Sequence, residues 1–127
     1  MLPTWKTITD GARYVESRLR EIVKLVKPNV IVEDNVVCFP ALLTSDALFI
    51  RIISCNPLEI GRLNTAPVFS GLPANDRSQW AAFQTEYNCV HRHLWHSFNQ
   101  WVIEPGAPPL DDLKFMMYLH SIQSGIV

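Results

Sequence analysis

No run of apolar residues in this 127-residue chain approaches the ~18 needed to cross a bilayer, so no membrane span is expected. Charge of one sign is lacking as well. Eleven Lys and Arg stand against 12 Asp and Glu, and a net charge of −1 without a block of like charge leaves no electrostatic footprint for nucleic acid or an anionic membrane surface. Cysteine is scarce and odd in number. Cys38, Cys55 and Cys89 are widely spaced in apolar sequence, which suits reduced thiols better than a disulfide framework. The stretch Met1 to Lys6 lacks the charged head and the ~7–15-residue apolar segment of a secretory signal, so a cytoplasmic location is expected. GxGxxG, P-loop, GxSxG and CxxC patterns are all missing, so neither a glycine cradle for phosphate nor a hydrolase nucleophile elbow is expected.

What the chain does have is the composition of one packed domain. With 48% hydrophobic and 18% charged residues it is too apolar for a disordered tail, and its length matches a single domain of about 100–200 residues. From Ile8 to Lys27, Ala12, Val15, Leu19, Ile22, Val23 and Val26 recur at three- and four-residue steps, which predicts an amphipathic helix. Thr9 or Asp10 can cap it, and Lys27-Pro28 ends it. Asn29 to Val32 reads as a short buried strand, Val36 to Leu43 as a short helix that takes Pro40 in its first turn, and Leu48 to Ser54 as a second strand. Helix, strand, helix, strand is the α/β order, and the intervening helix makes the two strands expected parallel neighbours.

Beyond Ser54, the pairs Asn56-Pro57, Ala66-Pro67 and Leu72-Pro73 punctuate a long loop. Asn75 or Asp76 is expected to open a second long helix to about Ile103, striped by Phe83, Tyr87, Val90, Leu94, Phe98 and Trp101. Gly106 to Pro109 stops it, and Asp111 can cap a final helix through about His120. A complete parallel sheet needs more than two strands covered on both faces. The chain therefore reads either as an unusual α-rich domain or as a piece of a larger α/β domain whose remaining strands lie elsewhere.

Glu33-Asp34-Asn35 follows the first strand, and open α/β sheets bind ligands just outside the carboxyl ends of their strands. Asp34 is thereby the leading candidate for chemistry. A carboxylate there could orient and charge-stabilise a histidine base; alternatively, Asp34 or Asn35 caps the helix expected from Val36. Cys89, His93 and His96 fall at helical steps of four and three and can be exposed helix residues beside Arg92, whereas His91 can lie beside the apolar stripe near Tyr87 and Leu94. Thiolate and imidazole are zinc ligands, but no fourth ligand and no CxxC or HExxH pattern accompanies them, so no metal site is expected. Trp5, Trp80, Trp95 and Trp101 could stack on a planar ligand, or pack in a core. The loop Val68 to Pro73 could line a pocket, or seal a core edge.

The run Leu25-Val26-Lys27-Pro28-Asn29-Val30-Ile31-Val32-Glu33-Asp34-Asn35-Val36-Val37 resembles the helix, hydrophobic strand and acidic residue of the acceptor-binding, N-terminal half of nucleotide-sugar-dependent glycosyltransferases with two Rossmann-like domains (the GT-B type). Arg51-Ile52-Ile53-Ser54-Cys55-Asn56-Pro57-Leu58-Glu59 and Pro67-Val68-Phe69-Ser70-Gly71-Leu72-Pro73 are similar to the UDP-glucosyl and macrolide glycosyltransferase subgroup. Asp76-Arg77-Ser78, Glu86-Tyr87, His91-Arg92, Leu94-Trp95, Phe98-Asn99 and Gly106-Ala107-Pro108-Pro109 continue the likeness, which covers about residues 10–115.

The resemblance implies a single partial α/β domain over residues 1–127 with an incomplete, Rossmann-like parallel sheet and long helices, and inverting transfer of a sugar from a UDP- or dTDP-sugar donor to the hydroxyl of a small-molecule acceptor such as a lipid or polyketide. It implies that Asp34 is the carboxylate supporting a histidine base. That base precedes the aspartate in the family, whereas His91, His93, His96 and His120 all follow Asp34. The family's glycine- and acid-rich donor motif also has no counterpart, so the chain is expected to bind no cofactor and to be an acceptor-domain fragment or truncated relative, inactive alone. The alternative is a non-enzymatic α/β binding or interaction module that uses exposed, unpaired strand edges and the apolar loop to associate with another chain, self-association through those edges included.

Overall fold

The computed structural model describes residues 1–52, 54 and 65–110. Along the chain run α1 (Leu2–Val26), β1 (Val30–Glu33), α2 (Pro40–Leu43), β2 (Leu48–Arg51) and α3 (Trp80–Ile103). Helix and strand are thus mixed, and β1 pairs with β2 in a small two-stranded parallel sheet. No helix among the described residues is long and apolar enough to cross a membrane. The expected helix from Asp111 to His120 lies outside the described residues, as do Ile53 and residues 55–64 of the expected long loop.

α1 begins six residues before the position that apolar periodicity suggests, because Pro3 sits in its first turn, where a missing N–H needs no partner. Thr9 is therefore no cap. Its hydroxyl donates back to the Trp5 carbonyl at 2.9 Å, and Asp10 pairs with Lys6 at 2.5 Å. The helix ends at Val26: Lys27 turns left-handed (φ 49°) and its N–H donates to the Val23 carbonyl at 2.9 Å. α2 is only four residues long for a related reason. A residue before proline avoids the helical region, so Phe39 is extended (φ −121°, ψ 117°) and the turn starts at Pro40 instead of Val36.

In the sheet, Val30 to Glu33 lie opposite Leu48 to Arg51 in register. The ladder runs on through the Ile52 N–H to the Glu33 carbonyl at 2.8 Å. Alternation puts Val30, Val32, Leu48 and Ile50 on one face. That face is open to solvent, with Val30 47% and Val32 58% exposed, so the expected buried strand is a half-covered one. The opposite face carries Ile31, Glu33, Phe49 and Arg51.

The core lies among the helices and not on the sheet. Trp5 and Ala12 of α1, Val37 to Phe39, Phe98 and Val102 of α3, and Ala107 and Leu110 form one buried cluster. On α1 the expected stripe is buried only at its N-terminal half; Val15, Ile22 and Val26 are exposed. α3 starts at Trp80, because Asp76 spends its carboxylate on a local turn, accepting the Ser78 N–H at 2.9 Å. Its buried line is Tyr87, His91, Phe98 and Val102, while Val90 of the expected stripe is exposed.

Candidate functional site

The carboxyl ends of β1 and β2 bring together residues that are distant in sequence. Glu33 closes β1 on the covered face, directly opposite Arg51, and the guanidinium Nη1 donates to Glu33 Oε2 at 3.1 Å. Both side chains are buried. Arg51 also donates through Nη2 to the carbonyl of Asn35, which ties the turn after β1 to the end of β2. Burial pushes the Glu33 carboxyl up to about 7, an effect the Arg51 charge opposes without cancelling. Glu33 Oε1 has no hydrogen-bond partner among the described residues. Next in the chain after Arg51, Ile52 faces solvent beside the exposed aliphatic face.

Asp34 is exposed at the carboxyl end of the sheet, and the Ser54 hydroxyl donates to its Oδ2 at 2.7 Å. It caps no helix. Asn35 folds its own side chain back, Oδ1 accepting the Val36 N–H at 2.7 Å, four residues before α2 begins. A carboxylate held through one oxygen keeps the other as an acceptor. Asp34 is thus fixed in direction and open to a donor such as an imidazole N–H. Ser54 was not singled out by spacing arguments, and its position follows from the parallel pairing, which sets the residues after Glu33 beside those after Arg51.

The histidines lie elsewhere. Cys89, His93 and His96 are exposed on α3, and among the described residues no group of three His, Cys, Asp or Glu side chains is placed to hold a metal ion. His91 is different, for it is buried with its ring stacked on Tyr87 at 4.0 Å. Of the tryptophans, Trp5 is buried, while the Trp80 indole N–H donates to the Pro73 carbonyl at 3.3 Å and pins the loop before α3. Phe69 of that loop meets Trp5 edge-on at 6.0 Å. The Cys38 thiol is buried, and its neighbourhood pushes it up to about 12, chiefly through burial and then through the Glu33 charge.

Comparison of the chain with protein-family models gives no match, and comparison with curated proteins gives none either.

Proposed function

We propose that the chain is the acceptor side of a nucleotide-sugar-dependent glycosyltransferase and is inactive alone. The observation that supports this is the placement of Asp34, an exposed carboxylate beyond a parallel strand, held by Ser54 at the sheet edge where α/β enzymes bind their ligands. In the reaction, a histidine base takes the proton from the acceptor hydroxyl as that oxygen attacks the anomeric carbon, and the bond from that carbon to the nucleoside diphosphate breaks. Asp34 would hold the imidazole in the correct tautomer and stabilise the imidazolium that forms. The UDP- or dTDP-sugar belongs to the intact enzyme, as does the histidine.

NMR titration of the chain with lipid and polyketide alcohols tests the reading. The amides of residues 34–36, 52 and 54 should move, Asp34→Asn should blunt the response, and UDP-glucose should leave them unmoved. Alcohols that leave these amides still, or turnover of UDP-glucose by the purified chain, would overturn it.

A second reading is a non-enzymatic module that self-associates. It is favoured by the aliphatic face of Val30, Val32, Leu48, Ile50 and Ile52, five exposed apolar side chains on or beside one sheet.

A further inference from the structure

We draw no further inference here: the strongest candidate, the cleft between the end of α1 and the turn from α2 into β2 that gathers Arg20, Lys24 and Lys27, points to no ligand, because Glu16 already holds the Arg20 guanidinium, Asp46 lines the same cleft, and the two lysines sit where they offset the carbonyl end of α1.

Discussion

Arg51 reaches across the parallel pair to Glu33, guanidinium to carboxylate at 3.1 Å, in a position where water reaches neither side chain freely. Desolvation dominates the Glu33 carboxyl, which titrates at about 7 in the fold against 4.5 for the ordinary group. Between those two values the folded chain holds more protons than the unfolded chain, so this group's contribution to stability falls as pH rises from about 4.5 to 7. A shift of that size corresponds to about 3 kcal/mol. Glu33→Gln removes the titration, and urea unfolding at a series of pH values should show a flatter profile over that window. An unchanged slope in the variant would assign the pH dependence to other groups.

The Glu33–Arg51 pair also shows what was legible beforehand. Consecutive β-branched residues at Val30 to Val32, and an apolar run from Leu48, identify two strands, and the connecting segment makes them parallel. Aligning Val30 with Leu48 then sets Glu33 opposite Arg51, so the ion pair could have been deduced from register and charge. The open sheet face could not. Val30 and Val32 look like residues of a buried strand, and periodicity reports which residues share a face without reporting whether anything covers it. Helix starts were misplaced where a local backbone rule outweighed hydrophobic spacing: Pro3 extends α1, and Pro40 holds Phe39 extended. Asp34 was legible from its place after a strand, whereas the Ser54 hydroxyl that fixes it emerges only once the strands are paired. His91 was legible as a neighbour of the apolar stripe near Tyr87 and Leu94, and the structure takes it into the buried line of α3 while Val90 stays exposed.

The same buried neighbourhood governs Cys38. With its thiol pushed up to about 12, almost no thiolate forms at pH 8, and burial shields what does. Cys89 is exposed on α3. Iodoacetamide at pH 8, followed by peptide mass mapping, should label Cys89 readily and Cys38 only in denaturant. Labelling of both at matched rates under native conditions would contradict this packing.

Phe98 is fully buried (0% exposed) and belongs to the cluster that joins α1 to α3. Phe98→Ala should cost about 3–5 kcal/mol through lost transfer energy and the cavity left behind, enough to unfold a marginal domain. Val90 lies on the same helix with half its side chain in water, and Val90→Ala should cost within about 0.5 kcal/mol. Urea midpoints of the two variants check the difference, and equal losses would mean that α3 is turned otherwise.

The aliphatic sheet face separates the two functional readings. Val32 is 58% exposed in the middle of that face, with Val30 on its own strand and Ile50 opposite it in register. Soluble monomers rarely leave contiguous apolar surface uncovered. If the face joins two copies of the chain, sedimentation velocity should show association that strengthens with protein concentration. Val32→Lys should then shift the chain toward monomer, because burying an unpaired ammonium in an apolar contact is costly. In the monomer the same lysine points into water, so the thermal midpoint measured at low concentration should move little. A chain that stays monomeric at high concentration would remove the self-association reading. Association unaffected by Val32→Lys would place the contact on another surface, such as the exposed C-terminal half of α1 with Ile22, Leu25 and Val26.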